Sequence, residues 1–100
     1  MSSDNHREKR QAKMDGATPV KNSGRGFRKG DAVWRGYLVD YKHNAKSFTL
    51  SSKAWAKHAR DAWNEDHRTP MIKVIFEDGT DLAIIPWDML KSLEAVADEV

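Results

Sequence analysis

Cysteine is missing altogether. Its absence excludes disulfide staples, thiolate nucleophiles and cysteine-ligated zinc in one step, and it fits a reducing compartment, so a cytoplasmic location is expected. Long apolar runs are missing too. No stretch approaches the roughly 20 residues that a membrane helix needs. The N-terminal segment has charge without an apolar h-region, so neither a membrane partner nor a secretory signal is expected. Histidine is sparse and scattered. His6, His43, His58 and His67 show no paired ligand spacing such as H-x₃-H, so a histidine-built metal site has no signature here. Internal repeats and low-complexity tracts are also lacking.

What is there suits one folded domain. A chain of 100 residues has room for one modest core. With 32% charged and 39% hydrophobic residues, it falls on the globular rather than the disordered side. The net charge of +2 hides an asymmetry. Residues 1–30 carry eight Lys/Arg against three Asp/Glu, residues 31–70 seven against five, and residues 71–100 two against seven. A basic front half is the electrostatic footprint of a polyanion binder, although a solvated basic tail has the same composition.

Local patterns divide the chain. Residues 4–14 are rich in helix formers behind a capping Asp4 or Asn5, but their apolar stripe is poor, so this N-terminal helix (1–14) must dock on something. Residues 15–30 form a basic, glycine-rich loop. Glycines let backbone approach a ligand closely, and here they alternate with Arg25, Arg28 and Lys29, an arrangement suited to phosphate or to a flexible linker. From Asp31 the pattern turns strand-like. "DAVW" and "YLVDYK" flank Arg35-Gly36, a two-residue hairpin. "SSKAWAKHARDAWNEDH" reads as a helix capped by Ser51 or Ser52, with Trp55, Ala59, Ala62 and Trp63 along one face as core or interface. "MIKVIF" and "DLAII" flank Asp78-Gly79, a second hairpin, and Pro86 opens a closing helix with Leu90, Leu93 and Val96 at helical spacing. The expected class is α/β (α+β), a mixed β-sheet flanked by helices in the order α-β-β-α-β-β-α.

The first hairpin carries the chemistry. Residues two apart on a strand share a face, so Asp40 and Lys42 point the same way. Pairing about Arg35-Gly36 sets Asp31 opposite Asp40. Directly opposed carboxylates repel, and a sheet built only for stability avoids them. A divalent cation between them would resolve the conflict, because Mg²⁺ is commonly held by one or two carboxylates plus a phosphate. Lys42 beside that pair could orient water or stabilise developing charge on phosphorus.

The segment "NSGRGFRKGDAVWRGYLVDYKHNAKSFTLS" resembles the core of the PD-(D/E)XK nuclease superfamily, closest to the small Holliday junction resolvases of archaea and phages. The matching residues are Glu8, Asn22-Ser23-Gly24, Lys29-Gly30-Asp31, Asp40-Tyr41-Lys42 and Lys46-Ser47-Phe48, and the likeness spans roughly residues 6–85. It implies a restriction-endonuclease-like fold in a single nuclease domain, 1–100, with its catalytic core at 31–100. It further implies catalysis by Glu8, Asp31, Asp40 and Lys42, and Mg²⁺ or Mn²⁺ held by Asp31, Asp40 and Glu8. DNA contacts would come from Ser23, Arg25, Arg28, Lys29, Lys46 and Ser47. Asp40 stands where the family usually has glutamate, and Gly30 where the wider superfamily has proline.

The implied activity is a Mg²⁺-dependent, structure-selective endonuclease that hydrolyses phosphodiester bonds in branched, four-way DNA. A homodimer would match the two-fold symmetry of that substrate, with Trp34, Trp55, Trp63 or Trp87 as anchors. A phage-encoded enzyme would act in the host cytoplasm. Two alternatives stay open: a related nuclease that nicks or degrades duplex DNA, and a non-catalytic DNA-binding or host-interaction protein on the same fold.

Overall fold

The computed structural model describes residues 10–20 and 31–99. It shows a mixed α+β protein with a five-stranded open sheet and three helices. The first helix, α1, is described over residues 10–15, so Asp15, expected to open the loop, is its last residue. Gly16 ends it at φ +78°, a left-handed conformation that glycine adopts without strain. The Gly16 amide donates to the Lys13 carbonyl and the Ala17 amide to the Ala12 carbonyl, the pairing of a Schellman cap.

The sheet follows chain order, β1 (Thr18–Pro19), β2 (Asp31–Trp34), β3 (Tyr37–Ala45), β4 (Thr69–Phe76) and β5 (Asp81–Ile84). Every neighbouring pair is antiparallel except β3 and β4, which run parallel. Parallel neighbours need a crossover, and α2 (Ser52–Asn64) supplies it. Ser51 caps α2, its Oγ accepting from the Ala54 amide at 3.0 Å. Pro70 is tolerated in β4 because β5 pairing begins only at Ile72, beyond the side where its missing N–H would be needed. Gly79 turns the second hairpin at φ +95°, and Asp78 Oδ1 accepts from the Thr80 amide beside it.

The sheet has two covered faces. On one, Ala12 and Ala17 from the α1 region pack against Ala32, Val39, Tyr41 and Met71. On the other lie Leu38, Ile72 and Val74 beneath α2, with Leu38 and Val74 fully buried. The third helix, α3 (Trp87–Asp98), begins after Pro86 as its spacing predicts. None of its residues is buried, and it presents Trp87, Leu90, Leu93 and Val96 to solvent.

Three features depart from expectation or bear on it. Residues 18 and 19, expected in the loop, pair with Ala32 and Val33 as a short edge strand, so the order gains one strand before the first hairpin. The expected face of α2 holds in part: Ala62 is buried and Trp55 and Ala59 are half-buried. His58 is buried as well, while Trp63 is exposed and stacks on the His67 ring at 4.0 Å. The small Ala62 lets the helix backbone approach the sheet, and the Trp63 ring is left outside. Among the described residues, no helix is long and apolar enough to cross a membrane.

Candidate functional site

The hairpin register puts Asp31 directly opposite Asp40, with Ala32 opposite Val39, Val33 opposite Leu38 and Trp34 opposite Tyr37. Arg35 closes the turn at φ +54°. Alternation then fixes which side chains meet. Asp31, Asp40 and Lys42 share the face under α2, whereas Tyr41 and, on β4, Lys73 share the other. Lys42 Nζ lies 3.3 Å from Asp40 Oδ2.

These groups line a cavity of about 390 Å³ between the sheet and α2. Asp31, Asp40, Lys42 and Ile72 come from the sheet, Phe48, Thr49 and Leu50 from the segment before α2, and Ala54, Lys57, His58 and Asp61 from α2 itself. Lys57 and Asp61 form an i,i+4 ion pair at 3.5 Å. His58 is buried at 6% exposure, and its Nε2 lies 3.0 Å from the Leu38 carbonyl oxygen and 2.9 Å from that of Met71. The ring thus ties α2 to both strands of the parallel pair.

One ligand atom each from Asp31, Asp40 and His58 lies within 4.8 Å of the other two. Two oxygens on one Mg²⁺-sized ion, each about 2.1 Å from it, stand about 3 Å apart in cis and about 4.2 Å apart in trans. The cluster therefore needs only a small side-chain adjustment to close on a single ion. Two carboxylates, an imidazole and room for water form a donor set that fits a divalent cation.

The expected site residues divide into three groups. Asp31, Asp40 and Lys42 meet at the cavity. Lys46 and Ser47 are exposed at the end of β3, outside the cavity lining, where Lys46 Nζ approaches Glu77 at 4.0 Å. Glu8, Ser23, Arg25, Arg28 and Lys29 lie outside the described residues. His58, Lys57 and Asp61 are additions that spacing along α2 does not pick out. The available signal is Ala54, His58 and Ala62 at i, i+4 and i+8, a small-histidine-small stripe on a crossover helix that must cover one face of β3.

The opposite face holds a second cluster. Asp15 Oδ2 accepts from Tyr41 Oη at 2.9 Å and from Lys73 Nζ at 2.9 Å, and its Oδ1 accepts from Gln11 Nε2 at 3.0 Å. Lys73 also reaches Asp81 at 3.5 Å. Burial opposes ionisation of Asp15, but the bonds from Lys73, Tyr41 and Gln11 outweigh it and hold its carboxyl below the ordinary 3.8. Burial, then the hydrogen bond to Asp15 and its charge, push the Tyr41 phenol above its ordinary value.

In comparison with known proteins, no family model, curated protein or solved structure matches the chain.

Proposed function

We propose that the protein is a divalent-metal-dependent endodeoxyribonuclease of the PD-(D/E)XK type, acting on branched DNA in the manner of a Holliday junction resolvase. One observation carries this reading: Asp31 and Asp40 oppose one another across β2 and β3, within single-ion range, at a cavity that also holds Lys42. A sheet gains nothing in stability from opposed acids.

Each residue then has a task. Asp31 and Asp40 hold the cation. A bound Mg²⁺ or Mn²⁺ supplies positive charge that polarises a phosphodiester and lowers the pKa of coordinated water. Lys42, tethered to Asp40 at 3.3 Å, positions the attacking water and faces the charge that builds on the phosphate oxygens. Lys57 on the cavity wall adds a second cation for the phosphate. Glu8, with the loop residues Ser23, Arg25, Arg28 and Lys29, belongs to this reading through the resemblance alone. Self-association belongs to it as well, and the exposed apolar residues of α3 are the surface that a second copy would cover.

The test is cleavage of a labelled four-way junction beside a linear duplex of the same sequence, with metal and with EDTA, and with Asp40→Asn as control. Paired, metal-dependent cuts confined to the junction support a resolvase. Equal cutting of both substrates keeps the nuclease and removes the junction selectivity. Binding without any cutting sinks the enzyme and favours a DNA-binding protein on the same scaffold.

A further inference from the structure

The cavity contains a nitrogen donor that the carboxylate-lysine reading does not use. His58 Nε2 faces two backbone carbonyl oxygens, at 3.0 and 2.9 Å. Carbonyls only accept hydrogen bonds, so Nε2 is the nitrogen that carries the hydrogen. The neutral ring then has its lone pair on Nδ1. Backbone carbonyls on the far nitrogen are also the usual device that fixes the tautomer and orientation of a metal-ligating histidine. Here the two carbonyls belong to adjacent strands of the sheet core, so the ring is anchored to its most buried part. The same side chain lines the cavity and supplies one ligand atom to the cluster with Asp31 and Asp40.

We infer that His58 is a metal ligand through Nδ1, and that the Asp31/Asp40/His58 site selects a transition-series cation, Mn²⁺, over Mg²⁺. The inference rests on the metal site proposed above and specifies its occupant. Mg²⁺ is a hard cation that takes oxygen ligands and keeps its waters. Imidazole binds first-row transition cations, the later ones most strongly and Mn²⁺ least, whereas Mg²⁺ draws little from it. Mn²⁺ is therefore the transition-series ion closest to Mg²⁺ on which the nitrogen can be read. Two carboxylates bind either ion. The third ligand therefore decides between them, and the fixed tautomer delivers it without reorganisation.

The experiment uses the full chain and the metals alone. Mn²⁺ binding is followed by loss of the free-ion EPR signal, Mg²⁺ is titrated in as competitor, and pulsed EPR of the bound Mn²⁺ reads ¹⁴N coupling from a coordinated imidazole. The variant is His58→Gln, whose amide N–H can still reach the two carbonyls while the ring nitrogen is gone. In the wild type, Mn²⁺ should bind roughly 10-fold or more tighter than Mg²⁺, with ¹⁴N coupling present. In His58→Gln the coupling should vanish and Mn²⁺ affinity should fall about 10- to 100-fold, while Mg²⁺ affinity changes little. Wild-type Mn²⁺ bound without ¹⁴N coupling, and displaced by equal Mg²⁺, overturns the inference while leaving the carboxylate site standing. The wild-type measurements decide this whether or not the variant folds. Failure of the wild type to bind either ion removes the metal site itself and the nuclease reading with it.

Discussion

The two faces of the sheet each set a carboxylate beside a lysine, and they complete the arrangement differently. Under α1, Asp15 accepts from Lys73, Tyr41 and Gln11 at 2.9–3.0 Å, and Lys73 has a second acid in Asp81. Donors and acceptors there are matched, and the pair is part of the packing. Under α2, Asp40 meets Lys42 at the longer distance of 3.3 Å, a second carboxylate sits directly opposite, and the group opens on a cavity. Three acids, Asp31, Asp40 and Asp61, line that cavity against two lysines, Lys42 and Lys57. One fold thus shows what an acid-lysine pair looks like when it closes a structure and when it leaves room for a ligand.

Breaking the α2 face should give the largest effect. Asp31→Asn or Asp40→Asn should lower metal-dependent cleavage by on the order of 10²–10³-fold while DNA binding is kept or tightened, measured by single-turnover cutting and by gel shift. Full activity in either variant would remove the assignment.

Breaking the α1 face should cost stability instead. Asp15→Ala leaves Lys73 and Tyr41 without their shared acceptor, at about 2–3 kcal/mol, a drop of roughly 10 °C or more in Tm for a domain of this size. Cation binding should be unaffected, and a change in it would tie the two faces together.

The same network sets a pH window. Asp15 is depressed below 3.8 in the folded protein, so its contribution is present above that pH and is lost as pH falls through the folded value. Tyr41 is raised above 10.0, so its contribution is full below that pH and is lost as pH rises through its folded value. Chemical denaturation across pH should show both losses in the wild type. In Asp15→Asn the acid-side loss should disappear and the alkaline one should shrink but persist, because Tyr41 stays buried.

The smallest effect belongs to Lys57. Its exposed ion pair with Asp61 is worth about 0.5 kcal/mol or less, so Lys57→Ala should hardly move Tm. It should nevertheless reduce the salt slope of DNA binding by about one unit, as expected for one lost phosphate contact. An unchanged slope would place the DNA away from this wall.

The α2 face is the more legible of the two in the sequence. A two-residue turn and strict alternation are local signals, so Arg35-Gly36 alone sets Asp31 against Asp40, and Asp78-Gly79 sets the second hairpin. Ser51 marks the start of α2 in the same way. The α1 face is not legible, because Asp15 and Lys73 are 58 residues apart and no local pattern links them. On α2, hydrophobicity finds the buried Ala62 and the half-buried Trp55 and Ala59, but it also turns the exposed Trp63 inward and passes over the buried His58. His58 is hidden because a lone polar side chain adds nothing to an apolar stripe. The two-residue strand at Thr18–Pro19 is too short to show any period. In α3, the spacing of Leu90, Leu93 and Val96 marks a helix correctly but carries no information about what covers it.

The most direct test of the contrast between the faces is thermal unfolding with and without Mn²⁺ for four proteins: wild type, Asp31→Asn, Asp40→Asn and Asp15→Asn. A ligand that binds only the folded state raises Tm. The wild type should gain Tm on adding Mn²⁺. Both α2-face variants should lose that gain, and Asp15→Asn should keep it from a lower starting Tm. A gain that survives in Asp31→Asn and Asp40→Asn, or disappears in Asp15→Asn, would contradict a cation site confined to the α2 face.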